Sequence, residues 1–285
     1  MSILNRKIDF AVVLSVTKAN PNGDPLNGNR PRQNYDGYGE ISDVAIKRKI
    51  RNRLQDMGES IFVQSDDRAT DGYKSLKERA ESDERLAKML KDKKASREDF
   101  AKIACEKWMD VRSFGQVFAF KGSDLSVGVR GPVSIQTATS VDPIDITSLQ
   151  ITKSVSSVTS DTRSSDTMGM KYRVDFGVYV FKGSINTQLA EKTGFTNEDA
   201  EKIKQALITL FENDSSSARP EGSMEVHKVY WWEHSSKLGQ YSSAKVHRSL
   251  KINSKTDSPS EFNEDNYNIE LEELDGLTVK VYEGQ

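Results

Sequence analysis

The chain has 285 residues, 35% of them hydrophobic, a mean hydropathy of -0.64 and a formal net charge of -2. That length gives one large domain with insertions and a sizeable core, and the near-neutral charge excludes a uniformly basic nucleic-acid binder, so the distribution of charge matters more than its sum. A single cysteine, Cys105, excludes an intrachain disulfide; no apolar run approaches membrane length, and MSILNRKIDF has no signal-peptide core, so a reducing, cytoplasmic location is expected.

Ile8–Thr17, IDFAVVLSVT, is rich in β-branched residues, ends at a cluster of turn formers and reads as a buried strand. Asn20–Arg32, NPNGDPLNGNRPR, is all loop. Ser42–Met57 reads as a helix: Ser42 is a good N-cap, Asp43 suits the first turn, and Ile46, Ile50 and Leu54 recur at i+4. Lys47, Arg48 and Arg51 lie to one side of that stripe, and the helix stops near Gly58. Asp66–Lys107 is highly charged and reads as an insertion of one or two solvated helices. Trp108–Phe120 returns to apolar and aromatic residues, and Gly128–Thr139 reads as a strand whose proline suits an edge or a bulge. Asp145–Met170, rich in Ser and Thr, reads as an exposed loop or long hairpin. Tyr172–Ile185 alternates as a strand, Asn197–Asn213 carries Ile203, Leu207 and Leu210 as an amphipathic helix, and Val226–Glu233 is a further strand. The tail from Ser254 is polar and acidic with one last strand, Leu277–Tyr282. This order is compatible with βαββαβ, an α+β, ferredoxin-like or RRM-like sheet with large insertions.

NPNGDP starts like a calcium loop at Asn20, Asn22 and Asp24, but Pro25 stands where glycine is required and Pro31 where the distal Glu belongs. No P-loop, dinucleotide fingerprint or zinc spacing occurs, and His227, His234 and His247 have no cysteine near them. No catalytic residue, metal or cofactor is therefore expected. What remains is geometry. A Gly/Asn/Pro loop feeding a helix N-terminus exposes backbone N–H groups to an anion. Lys47, Arg48 and Arg51 extend that positive surface, which suits a phosphate backbone; the alternative is an ordinary solvated helix face. Arg112 and Gln116, around Phe114 in DVRSFGQ, form a second candidate, a cation for phosphate beside an aromatic for a base; the alternative is a core strand with one charge. The Asp145–Met170 segment is a third, with Lys153, Arg163 and the methionines of MGMKY, against the alternative of a linker.

In chain order, NPNGDP, GEISDVAIKRKIR, DVRSFGQVFAF, GPVSIQTATS and YRVDFGVYVFKGSI together resemble the backbone subunit of type I CRISPR interference complexes. This is the major repeated subunit of Cascade, in the RAMP superfamily, and the type I-C form is the most similar. The resemblance implies one RRM-like palm over residues 1–285, a finger-type insertion near 60–107 and a thumb-like hairpin near 146–170. It implies copies stacked as a helical filament on CRISPR RNA, each thumb pushing out a base while the others pair with target DNA, and no catalytic role. Carried over, the family's S-x-x-x-x-K-R segment falls on Ser42, Lys47 and Arg48, with Arg51 beside them. Lys18, Asn20 and Asn22 lie at the exit of the first strand, where RNA is expected to pass. Arg163, Met168 and Met170 are the thumb candidates, with either methionine as the base wedge. Implied partners are CRISPR RNA, the paired target DNA strand, other copies of the chain, the large and crRNA-processing subunits of Cascade, and a recruited helicase-nuclease. The competing reading is an RNA-cleaving endoribonuclease of the same superfamily, using Asp161, Asp166 or His227.

Overall fold

The computed structural model describes residues 2–152 and 168–285. β1 (Ile8–Ala19) runs through the middle of the main sheet, and its alternation sets the layers. Phe10, Val12, Leu14 and Val16 enter one core, while Ala11 and Val13 enter another on the opposite face. β2 (Tyr38–Ile41) leads into α1 (Asp43–Asp56), whose start is fixed by Ser42: its Oγ accepts the Ala45 N–H at 3.2 Å. Ile46, Ile50 and Leu54 are buried in the first core, as their spacing requires.

The charged insertion differs from the one or two solvated helices read from sequence. Asp66–Lys107 contains three short helices, α2 (Leu76–Glu81), α3 (Glu84–Leu90) and α4 (Arg97–Lys107), and the chain continues through α5 (Met109–Phe114) into a hairpin of β3 (Gly115–Phe118) and β4 (Val127–Arg130). They enclose a core of their own, where the Phe62 ring lies 4.7 Å from Trp108 and 5.0 Å from Phe118. Helices this short carry too few turns to display a stripe, which is why charge dominated the reading.

β5 (Val133–Ile135), β6 (Ala138–Pro143), β7 (Ile146–Thr152) and β8 (Met168–Ile185) follow. The single strand read over Gly128–Thr139 falls into three, broken at Gly131–Pro132, where a Cβ on Gly131 would lie 2.3 Å from Ser113 O, and again at Gln136–Thr137. Next come α6 (Thr187–Thr193), α7 (Asn197–Ile208), β9 (Met224–Glu233), α8 (Ser243–Ser249), β10 (Leu250–Ser254), β11 (Tyr267–Leu271) and β12 (Val279–Glu283). The sheet order is β12-β9-β1-β8-β6-β2, with antiparallel neighbours, and β5 and β7 also pair with β8. β8 has 18 residues and a double task. Val174–Ile185 pairs with β1, from Ala19↔Val174 to Ile8↔Ile185, and Met168–Val174 extends past the end of β1 to pair with β7.

α1 and α7 cover one face of the sheet. The other is covered by α8, β10, β11 and the following turn, with Tyr230, Trp232 and Val178 buried under Val246, Tyr267, Leu274 and Leu277. In this layer only the last strand was legible from sequence, read over Leu277–Tyr282 and found at Val279–Glu283; α8 and β10, before the acidic tail, and β11 within it rest on scattered apolar residues without a period. Asp9, fully buried beneath this layer, accepts from His234 at 2.8 Å and Lys7 at 3.1 Å. Burial alone would raise its pKa, but His234, Ser243 and Lys7 outweigh it and hold the carboxyl below its ordinary value. Among the described residues, no helix is long and apolar enough to cross a membrane.

Gly183, in β8, is a required close approach: a Cβ there would meet Phe10 Cζ at 2.2 Å and Ser134 O at 2.5 Å. Gly183→Ala is expected to cost about 1–3 kcal/mol through overpacking, read as a lower urea midpoint at unchanged m.

Candidate nucleic-acid interface

The Asn20–Arg32 loop is fastened from several sides. Asn20, 5% exposed, donates its side-chain amide to Asn29 O at 2.7 Å and its backbone N–H to Ala218 O at 2.9 Å. Asn22 Oδ1 accepts the Ser42 N–H at 2.9 Å, tying the loop to the residue that caps α1. Gly23 occupies the narrowest point, since a Cβ there would lie 2.0 Å from Asn29 Oδ1. Lys18, at the exit of β1, is exposed and holds φ at 52°, a left-handed backbone that costs a non-glycine residue about 1–2 kcal/mol.

The same loop leans on the base of the β7–β8 hairpin. The Arg30 guanidinium lies 5.5 Å from the centre of the Tyr172 ring and donates to Ser148 Oγ at 3.4 Å. Met168, Met170 and Tyr172 alternate with Gly169 and Lys171, so they share one hairpin face, opposite Thr152, Gln150 and Ser148. Met168 is 61% exposed and Met170 50%. Leu149 and Ile151 occupy the other face, where Lys171 donates to Ser217 O at 2.9 Å. The hairpin base is thus held between Arg30 on one side and the Ser215–Arg219 loop on the other.

Sequence reasoning had put Lys47, Arg48 and Arg51 on one free basic face; the structure divides them. Lys47 stays at the surface, paired with Asp43 one turn back at 2.9 Å, a contact of a few tenths of a kcal/mol that an incoming phosphate can displace. Arg48 donates to Val63 O at 2.6 Å. Burial, reinforced by the charge of Arg51, pushes its guanidinium below the ordinary range. Arg51 donates to Asp110 Oδ2 at 2.9 Å and sits 5.1 Å over the Phe114 ring. Asp110 is fully buried and also accepts the N–H groups of Phe62 at 2.7 Å and Val63 at 3.1 Å. Arg48 and Arg51 therefore join α1 to the insertion. Arg112 is internal as well: it forks onto Asp199 at 3.0 and 2.8 Å, and Asp199 closes the capping box of α7. Gln116 donates to Val117 O at 3.0 Å beside it in β3. Among the described residues, neither side chain bonds the loop or the hairpin. Arg163 lies outside the described residues, as do Lys153, Asp161 and Asp166. His227 bonds Ser15 Oγ at 2.9 Å and packs 4.4 Å from the Phe262 ring, so burial lowers its pKa.

The contacts thus tie Asn20, Asn22 and Ser42 through the loop to Arg30, and Arg30 to Tyr172 on the face that carries Met168 and Met170. Lys47 pairs with Asp43, and Lys18 lines a cleft with Asp142, Asp145 and Asp175. Arg30 and Tyr172 were not singled out from sequence. Their signals were present: Arg30 lies in the quoted loop, and M-G-M-K-Y alternates with period two. Chemically, the loop and hairpin offer the Arg30 cation for phosphate, and thioether and phenol surfaces for the flat face of a base.

A family model described as CRISPR-associated protein Cas7 matches residues 6–272. A CRISPR-associated protein Cas7 of Haloferax volcanii is 27% identical over 235 residues, spanning 76% of this chain and 67% of that protein. A chain of a solved "CRISPR RNA-guided surveillance complex, pre-nicking" superposes with a TM-score of 0.50 at 16% identity, over 79% of this chain and 75% of the other, a likeness of fold.

The division of the arginines is testable by stability alone. Arg112→Met strands Asp199 in the interior and is expected to cost about 3–5 kcal/mol, whereas Lys47→Met should cost under about 0.5 kcal/mol. Chemical denaturation at pH 7 distinguishes the two.

Proposed function

The chain belongs to the CRISPR-associated Cas7 family, and from that premise we propose that it is the repeated, non-catalytic backbone subunit of a type I-C surveillance complex, bound along CRISPR RNA in the cytoplasm. The sheet order β9-β1-β8 with β5 and β6 beyond, and α1 and α7 on one face, supports an RRM-like palm. The insertion near 60–107 then corresponds to the finger and the segment near 146–170, of which the β7–β8 pairing is described, to the thumb. The observation that carries the reading is the convergence of the Asn22–Ser42 strap, Arg30 and the Tyr172–Met170–Met168 face at one rim of the sheet. Phosphate is gripped at the start of α1 and along the loop, and the methionine face of the thumb meets a base. This chemistry holds RNA without reading its sequence, and grip and stacking groups support binding rather than cleavage.

A filament places further copies beside this one, leaves unflipped bases to pair with target DNA, and meets the large and crRNA-processing subunits at its ends. A helicase-nuclease recruited to the complex would supply the cutting. Purified protein titrated with CRISPR RNA and with a scrambled RNA of equal length, across a salt series, tests the reading. Equal affinity for both, a falling log K with log salt, multimers that grow in steps with RNA length and intact RNA are expected. Arg30→Ala and Lys47→Ala should each weaken both RNAs alike and reduce the salt slope by about one. Absence of binding, or a discrete cut, contradicts it.

A further inference from the structure

Lys49 was not among the residues singled out, because it sits on the inward side of a basic run. It is 6% exposed, and its ammonium pairs with Asp214, just beyond α7. Asp214 Oδ2 also accepts Arg219 Nε at 3.3 Å, and the Phe211 ring centre lies 5.5 Å from the ammonium. Asp214 and Arg219 bracket a short loop whose Ser216 and Arg219 backbones bond each other at 2.8 and 3.0 Å. The carbonyls between them do the gripping described above: Ala218 O takes the Asn20 N–H, and Ser217 O takes Lys171. One chain of contacts therefore runs from α1, through the buried ion pair, to the start of the Asn20–Arg32 loop and the root of the hairpin.

We propose that Lys49, acting through Asp214 and Arg219, is a positioning residue for the RNA grip, pinning the Asp214–Arg219 loop so that the Asn20 loop and the hairpin stand at the spacing RNA requires. This rests on the RNA-binding reading. Lys49 itself touches no RNA.

The pin is sensitive to pH. Burial, reinforced by Arg219 and partly offset by Asp214, pushes Lys49 down to about 8 from its ordinary 10.5. Asp214 and Arg219 are the charged groups that face it; Arg53, one turn along α1, is turned to Glu212 and Thr209. Above pH 8 the ammonium is lost, Asp214 keeps only Arg219, and the loop loosens. Global stability moves the other way. The folded value lies below the unfolded one, so the unfolded chain binds more protons between about 8 and 10.5, and this group adds stability as pH rises through that window. An RNA affinity that falls while stability does not is a signature that a purely structural role lacks.

The experiment measures binding of a fluorescent single-stranded RNA of fixed length and salt at pH 7 and pH 9, with melting curves alongside. Wild type is expected to lose about fivefold in affinity at pH 9. Lys49→Arg, charged at both values, should bind equally at both. Asp214→Asn and Lys49→Met should bind weakly already at pH 7, with no further pH effect. A wild-type profile that Lys49→Arg leaves unchanged, or Asp214→Asn binding as wild type at pH 7, overturns the pin while the RNA reading stands. No binding by wild type at pH 7 overturns the RNA reading, and the pin with it.

Discussion

Neither face of the central sheet is free. Phe10, Val12 and Leu14 of β1 are sealed under α1 and α7, and Ala11 and Val13 lie with Tyr230 and Trp232 under the C-terminal layer. Burying an aromatic side chain of 150–250 Å² is worth about 4–6 kcal/mol. Stacking a base on an exposed ring returns about 1–3 kcal/mol. A base cannot profitably unseat that layer, so the RNA path proposed above lies at the rim, where β1 ends and β8 continues into its pairing with β7. The left-handed Lys18, the strapped loop and the methionine face all lie at that rim.

The continuity of β8 makes the rim precise. Val174 is fully buried and pairs with both Ala19 of β1 and Ile146 of β7. The described part of the hairpin, Ile146–Thr152 and Met168–Val174, is therefore an extension of a core strand. Its base is wedged between Arg30 and Ser217, and the latter is set by the buried Lys49–Asp214 pair. Buried ion pairs contribute little net stability, but breaking one is costly, so they fix the relative position of the elements they join. The same logic applies at the insertion, where Arg51–Asp110 and Arg112–Asp199 hold it to α1 and α7. A guanidinium is the right group for phosphate by type, and here its partner is an internal carboxylate.

That partnership explains what the sequence concealed. The Ser42 cap, the Ile46–Ile50–Leu54 stripe and the alternation of Tyr172–Ile185 are local patterns, and α1 and β8 were legible from them. Arg112 and Asp199 are 87 residues apart, and Arg51 and Asp110 are 59 apart. No spacing rule reports such pairs, so those arginines looked free. The insertion and the C-terminal layer were under-read for a related reason: short helices and scattered Leu250, Tyr267 and Leu274 bury well without any period. Asn20 and Asn22 were visible as turn formers, but their work as staples depends on Ala218 and Ser42 across the fold.

On the proposed reading, RNA runs along the rim and not over the sheet. Photocrosslinking of the protein bound to a thiouridine-substituted RNA, with the attached peptides identified by mass spectrometry, addresses it most directly. Attachment is expected at Arg30, at Tyr172 and the neighbouring methionines, and near Ser42–Lys47. Attachment at Tyr230 and Trp232, or at Arg112 and Gln116, would contradict it.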